Sequence, residues 1–195
     1  MAAIHQEKSQ WEAQYRSGYW THLHGDDEFA HYTVVAGYIQ RAGKPVSLHD
    51  IGCGEGVILK YLDRELIQSY TGIDIAQAAI DKIPLRRSQD RFICSSLEKY
   101  IPNGQWDVIL FNEVLYYTPD PVAQLKKFER SLMPKGWFVI SMYRKANPLA
   151  WNNRCIRRVR RYFQRARYAI EDAVEVSRID GSGSWQVFVV RPPAV

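Results

Sequence analysis

Asp50-Ile51-Gly52-Cys53-Gly54-Glu55-Gly56 decides the fold of this 195-residue chain. Its first two residues end Val46 to Ile51, which reads as a first strand after the turn Gly43-Lys44-Pro45. After it comes Val57 to Leu66, in which Ile58, Leu59, Leu62 and Leu66 share one helical face. Strand, glycine-rich turn and helix make the opening unit of a βα series. Glycines at such a turn let the chain reverse sharply and let a ligand lie against bare main chain. The start of the next helix adds unpaired N–H groups, and open α/β sheets bind ligands beyond the carboxyl ends of their strands. A dinucleotide fingerprint beginning at Gly52 needs glycine at position 57, where the chain has Val57, which disfavours a nicotinamide-dependent oxidoreductase. The pattern is instead D-x-G-x-G-x-G, and an acid ahead of the glycines suits a ligand bearing a positive group.

The βα series continues outward from this loop. Tyr70 to Ile75 reads as a second strand and Gln77 to Ile83 as a short helix stopped by Pro84. Arg91 to Cys94 is a third strand. Trp106 to Asn112 is a fourth, almost continuously apolar, as a buried parallel strand should be. Pro121 to Leu132 reads as a helix with proline near its start, followed by a turn at Pro134-Lys135-Gly136 and a fifth strand, Trp137 to Met142. Val174 to Ile179, Gly181-Ser182-Gly183 and Trp185 to Arg191 read as a closing hairpin. The first forty or so residues look helical and carry Trp11, Tyr15, Tyr19, Trp20, Phe29 and Tyr32.

Composition sets the frame. Hydrophobic residues at 46% and charged residues at 24% are the balance of a soluble globular protein. No apolar run reaches bilayer length, and Met1 to Lys8 lacks the apolar core of a signal peptide, so a cytoplasmic protein is expected. Cys53, Cys94 and Cys155 are odd in number and widely spaced, which argues for free thiols rather than disulfides or a zinc pair. The net charge of +5 is concentrated in Arg154, Arg157, Arg158, Arg160, Arg161, Arg165 and Arg167. Ile156, Val159 and Phe163 fall on one face of that stretch, so a solvated amphipathic helix explains the pattern; so does recognition of a phosphate-bearing acceptor, a nucleic acid or an anionic membrane surface.

At the glycine loop the sequence resembles the first motif of class I S-adenosylmethionine-dependent methyltransferases. The resemblance runs from Val46 to Met142. Thr71-Gly72-Ile73-Asp74-Ile75 ends the second strand with an acid, which in this family accepts both ribose hydroxyls; Asp74 also suits the N-cap of the helix that follows. After the third strand, Cys94-Ser95-Ser96-Leu97-Glu98 occupies the family's adenine region with serine, Ser95 or Ser96, where an acid is common. Trp106 to Tyr117 matches the fourth motif, and Leu132 to Ser141 is similar to the family's Leu-Lys-Pro-Gly-Gly turn and fifth strand.

The resemblance implies a Rossmann-like α/β fold, a mostly parallel seven-stranded sheet with a C-terminal antiparallel hairpin and helices on both faces. It implies one domain: 1–42 a helical cover, 46–142 the cofactor-binding core, 147–168 a basic helix and 172–191 the hairpin. S-adenosylmethionine is the implied cofactor. Its candidate contacts are Asp50, Gly52, Cys53, Gly54, Gly56, Asp74, Ile75, Ser96, Leu97 and Asn112, with Tyr15 and Trp20 from the cover. The protein then chiefly positions the reactants of an in-line displacement. Candidate catalytic residues are Glu113, Tyr117 and His22, with His24 a further candidate base; Tyr116 and Tyr117 suit the transfer channel, where an aromatic face steadies a sulfonium. Asn112-Glu113-Val114-Leu115 resembles the small-molecule branch, and Trp11-Glu12 through Tyr15 is similar to sugar methyltransferases, including the nodulation-type N-methyltransferases. His22 and His24 near Asp26 and Asp27 offer no third firm ligand, so no metal is expected. Two alternatives stay open: an RNA methyltransferase using the arginine helix, and a non-catalytic module completed by a partner protein.

Overall fold

In the computed structural model, which describes residues 7–84 and 86–193, the central strands run between short, sharply bounded turns. In chain order the elements are α1 (Lys8–Ser17), α2 (Phe29–Gln40), β1 (Val46–Ile51), β2 (Ile67–Asp74), α3 (Gln77–Ile80), β3 (Arg91–Cys94), β4 (Trp106–Asn112), α4 (Pro121–Glu129), β5 (Leu132–Tyr143), α5 (Trp151–Arg165), β6 (Ala169–Ser177) and β7 (Ser184–Arg191). The seven strands form one sheet in the order β3-β2-β1-β4-β5-β7-β6. The first five run parallel, and β7 lies antiparallel between β5 and β6. The order reverses between β1 and β4, where Asp50 pairs in register with Leu110 and Ile51 with Phe111. That reversal opens a crevice at the carboxyl edge.

The period of two along each strand divides the core. Leu48, Leu110, Val139 and Val187 pack under α2 and the segment after the glycine loop. Ile51, Ile109, Phe111 and Ile140 pack under α4 and α5, where Phe128, Val159 and Phe163 are fully buried. The buried face of α5 is therefore the one its spacing implies.

Four expectations need correction. Residues 57–66 form two short 3₁₀ turns, Val57–Lys60 and Arg64–Leu66, rather than a helix. Val57, Ile58 and Leu59 are all buried, and no one-sided helix can bury three consecutive residues. Asp63 then starts the second turn by accepting from the Glu65 amide at 3.0 Å. Pro134-Lys135-Gly136 lies inside β5, at an irregularity where Lys135 takes a φ of 70°, instead of preceding the strand. The helices ending at Ile83 and Leu132 in the sequence reading stop at Ile80 and Glu129. Finally, β2 begins at Ile67 and β6 at Ala169. Residues 169–173 are all exposed on the sheet edge, so no apolar alternation announces that strand. No described helix is long and apolar enough to cross a membrane, and Cys53, Cys94 and Cys155 are free thiols.

Candidate functional site

A cavity of about 610 Å³ opens over the carboxyl ends of β1, β2 and β4. Its floor is the glycine loop. Gly52 has a φ of +76°, and a Cβ there would lie 2.6 Å from Val114 Cγ2, so the turn admits glycine alone. The amides of Gly52 and Cys53 both donate to the Ile73 carbonyl, at 2.8 and 2.9 Å, which ties the loop to the end of β2.

Two buried acids flank the loop. Asp74 accepts from the Gly54 amide through Oδ2 and from the Ala76 amide through Oδ1, both at 2.9 Å. Burial pushes its carboxyl up to about 6, against the pull of those amides. Asp50, only 2% exposed, accepts from the Tyr70 hydroxyl at 2.6 Å through Oδ2. Its Oδ1 has no partner among the described residues, and burial raises this carboxyl to about 7. Asn112 Oδ1, at the end of β4, is a second unpartnered acceptor, while Trp20 Nε1 and Thr118 Oγ1 are unpartnered groups in the walls. A buried polar atom without a hydrogen bond is costly. The floor thus presents acceptors to a ligand that donates or is cationic.

The cover comes from α1 and the 3₁₀ turn Tyr19–His24. Trp11 stacks on Trp20 with centroids 5.5 Å apart and meets the edge of Tyr117 at 4.8 Å. Tyr15 reaches the loop itself: a Cβ on Gly54 would lie 3.0 Å from its hydroxyl. Polar bonds seat this cover. Glu12 of α1 accepts from the Gln77 and Ala78 amides at 2.8 and 3.1 Å, capping α3, whose own N-cap residue Ala76 offers no side-chain acceptor. Asp74 is therefore not that cap, although it holds the Ala76 amide. His24 meets Glu55 of the loop at 2.7 Å, and Lys82 bonds both Glu55 and the Tyr15 carbonyl. Burial works to raise the Glu55 carboxyl, but the bonds from Lys82 and His24 win and hold it below its ordinary value.

Glu113 adopts a φ of 58° and faces the cavity from beyond β4. Its Oε2 accepts from the Tyr116 hydroxyl at 2.7 Å and the Tyr143 amide at 2.9 Å, and its Oε1 from Ser141 Oγ at 3.0 Å. Ser141 also bonds His31 Nε2 at 2.7 Å, and His31 Nδ1 lies 3.2 Å from Glu28. The His31 ring stacks on Trp185 at 5.1 Å. Burial raises the Glu113 carboxyl, opposed by His31 and its hydrogen-bond donors. Nothing local in the sequence marks Ser141, which meets Glu113 only through the fold, or His31 and Trp185, which follow it in the chain of contacts.

The cavity gathers Asp50, Gly52, Cys53, Gly54, Asp74, Ile75, Leu97, Asn112, Glu113, Tyr117, Tyr15, Trp20 and His22. Two candidates lie outside its lining. Gly56, at a φ of +69°, starts the 3₁₀ turn, and Ser96 Oγ accepts from the Lys99 amide at 3.3 Å, so Ser95 faces the cavity instead. His22 is exposed at the rim and bonds the Tyr19 carbonyl at 3.0 Å. Burial and the nearby Glu113 push the Tyr117 phenol far up, so it is a hydrogen-bond donor near neutral pH, not a base. Among the described residues no three histidines, cysteines or acids gather as a metal site, and His24 bonds Glu55 and Lys60 with its two ring nitrogens.

Comparison with known proteins agrees with this architecture. A ubiquinone biosynthesis O-methyltransferase of Bradyrhizobium diazoefficiens is 30% identical over 96 residues, 47% of this chain and 38% of that protein. The chain spans about half or less of the length of such curated relatives. The N-methyltransferase NodS of Bradyrhizobium japonicum, solved with S-adenosyl-L-homocysteine, superposes with a TM-score of 0.72 at 20% identity, covering 87% of this chain and 89% of that one. The Burkholderia thailandensis 1,6-didemethyltoxoflavin-N1-methyltransferase, solved with 1,6-didemethyltoxoflavin and S-adenosylhomocysteine, gives 0.69 at 17% identity over 96% and 87%. At these identities the structural likeness is one of fold. The sequence model described as a methyltransferase domain matches residues 26–181, and the chain belongs to that family.

Proposed function

We propose that this chain binds S-adenosylmethionine in the crevice above β1, β2 and β4 and moves its methyl group to an oxygen or nitrogen of a small-molecule acceptor. One observation carries the reading: two buried acids on adjacent strand ends, Asp50 and Asp74, flank the positive-φ glycine loop beneath an aromatic cover. In this reading the chain is one domain whose cover is α1 and the turn Tyr19–His24; of the expected 1–42 cover, α2 packs on the sheet and residues 1–6 lie outside the described ones. The bound cofactor supplies a methyl group already activated by its sulfonium.

The residues divide the work of holding it. Each oxygen of Asp74 keeps a lone pair beyond the amide it accepts, which suits a pair of ribose hydroxyls. Asp50 Oδ1 and Asn112 Oδ1 suit a positive, donating end. Cys53, Ile75 and Leu97 line the remainder, with Ser95 on the adenine side. Trp11, Tyr15 and Trp20 exclude water, and their faces favour a cation.

Glu113 is the proton acceptor we propose for an acceptor whose nucleophile is protonated. A carboxyl raised by burial is a stronger base than an exposed one, and its bonds to Tyr116, Ser141 and Tyr143 fix its direction. Tyr117 bounds the transfer channel and His22 its mouth. The named activities of similar proteins, a ubiquinone O-methyltransferase and a toxoflavin-precursor N-methyltransferase, support a small-molecule acceptor.

Calorimetric titration with S-adenosylmethionine and S-adenosylhomocysteine, beside NAD and the Asp74→Ala variant, tests the reading. Binding of both sulfur ligands, lost in the variant, is the expected result. No binding by the folded protein overturns it.

A further inference from the structure

The seven arginines of α5 and its C-terminal end take no part in the crevice above β1, β2 and β4. Five of them, Arg154, Arg157, Arg158, Arg161 and Arg165, line one groove of about 500 Å³ with Val122 of α4 and Tyr162. They recur at the spacing of a single helical face and span about 16 Å along the axis. The fold uses this face little: Cys155, Ile156, Val159 and Phe163 make the contacts with the sheet side, while Arg158 bonds the start of α4 and Arg157 donates to the Pro148 carbonyl at 3.0 Å. Among the described residues, only Arg158 of the five meets a carboxylate, Asp120 at 2.8 Å, and that acid is itself the N-cap of α4. Stacked like charges on one helix face oppose one another, and a multiply charged anion among them reverses that sign.

We propose that the α4–α5 groove binds a diphosphate or longer phosphate chain, the handle of the methyl acceptor. That this phosphate chain belongs to the methyl acceptor rests on the methyl-transfer reading above; the phosphate site stands on the groove alone. The chemistry of the lining favours phosphate. The stretch carries arginine and no lysine, and the planar guanidinium fork matches phosphate oxygens two at a time. The groove is concave and of small-ligand volume. It lies across residues 118–120 from the crevice: Thr118 lines the crevice, while Arg158 donates to the Pro119 carbonyl and to Asp120. An acceptor can therefore lay its phosphates on α5 and turn its reacting end inward.

Other polyanions fit less well. A membrane-inserting helix needs its apolar face free, and this one is packed on the sheet. Single-stranded nucleic acid needs exposed aromatic platforms. Tyr162 has Lys126 5.5 Å over its ring and its hydroxyl on Glu129 at 2.5 Å.

The test titrates the whole chain with inorganic pyrophosphate and tripolyphosphate against sulfate at matched ionic strength. UDP, geranyl diphosphate, poly-uridylate and phosphatidylglycerol vesicles are parallel arms. The Arg157→Gln/Arg161→Gln/Arg165→Gln variant leaves Arg158 on Asp120, and a cooperative thermal melt like that of the wild type reports that it is folded. The expected result is pyrophosphate binding about tenfold or more tighter than sulfate, lost about tenfold or more in the variant. UDP or geranyl diphosphate binding more tightly than pyrophosphate identifies the remainder of the handle as nucleoside or lipid. Pyrophosphate binding that equals sulfate, or that the variant leaves unchanged, overturns the site. So does binding of poly-uridylate or vesicles without pyrophosphate. A wild-type chain that binds pyrophosphate but not S-adenosylhomocysteine overturns the methyl-transfer reading and leaves the phosphate site intact.

Discussion

The amide of Gly54 donates to the carboxylate of Asp74 at 2.9 Å, so the residue proposed to hold ribose also holds the loop beneath it. Asp74→Ala should then lose both functions. We expect S-adenosylhomocysteine affinity to fall about 10- to 100-fold, roughly 1.4–2.8 kcal/mol, together with a lower melting temperature. Calorimetry and thermal melts read the two losses separately. Unchanged affinity in a folded variant would remove Asp74 from the site.

Asp50 makes a pH prediction whose sign is unusual for a carboxylate. Burial raises its pKa from 3.8 to about 7, so the native state prefers the proton. The stability tied to that preference, up to about 4 kcal/mol, is fully present below about pH 4, is lost progressively as pH rises and is gone by about pH 7. The ligand-free melting temperature should therefore fall between about pH 4 and 7, and Asp50→Asn should lessen that fall, a smaller part of which comes from Asp74. A cationic ligand favours the ionised acid. Its affinity should rise with pH up to about 7, with proton release visible as a buffer-dependent heat. A wild-type curve that Asp50→Asn does not alter would refute this assignment.

Glu113→Gln separates chemistry from architecture. The amide keeps the shape of the side chain but cannot take a proton. Turnover should drop about 100-fold or more while S-adenosylhomocysteine binds within about threefold of wild type. The acid limb of the kcat/KM profile, set above the ordinary carboxylate range by burial, should vanish with it. Retained turnover with an unshifted profile would assign Glu113 to structure alone.

Gly52→Ala should destabilise the fold by about 2–4 kcal/mol, from a strained φ of +76° and a Cβ 2.6 Å from Val114 Cγ2. Adding Val114→Ala should return the steric part and leave the dihedral cost, so the double variant melts between Gly52→Ala and wild type. A melting temperature for Gly52→Ala equal to wild type would show that the loop relaxes.

Glu55→Gln should loosen the cover, because it weakens the bonds to His24 and Lys82. Release of S-adenosylhomocysteine, followed by the fluorescence of Trp11 and Trp20, should quicken severalfold with little change in melting temperature. An unaltered release rate would mean that Glu12 and the stacked aromatics hold the cover without it.

Much of this was legible from residue patterns, and the exceptions share a cause. The bounds of β4 follow from an apolar run and those of β1 from the turns around it, while the period of α5 gives its buried face but not its ends, which lie at 151 and 165 inside the expected 147–168. The segment after the glycine loop misleads because Ile58, Leu59 and Leu62 satisfy a helical template while the adjacent Val57 is buried as well. The exposed start of β6 carries no pattern, since its pairing with β7 is its main constraint. At the site, the glycine loop, Asp50 and Asp74 lie on consecutive elements and so within reach of a motif. The bond between His31 and Ser141 joins positions 110 apart, which no spacing rule records. Ser95 rather than Ser96 faces the cavity because a one-residue choice in a turn is settled by backbone bonds, such as the Ser95 amide donating to the Asp74 carbonyl at 2.8 Å.

The bond from Glu12 to the Gln77 and Ala78 amides has a consequence for how the chain is made. The ribosome releases α1 before α3, so the Glu12 carboxylate has nothing to cap until 65 further residues have emerged. Its aromatic partner Tyr117 arrives later still. α1 is thus made well before the residues that seat it, whereas α2 waits longer still, until Ser141 and Trp185 reach His31. Cofactor present during synthesis would meet a finished floor before a closed roof.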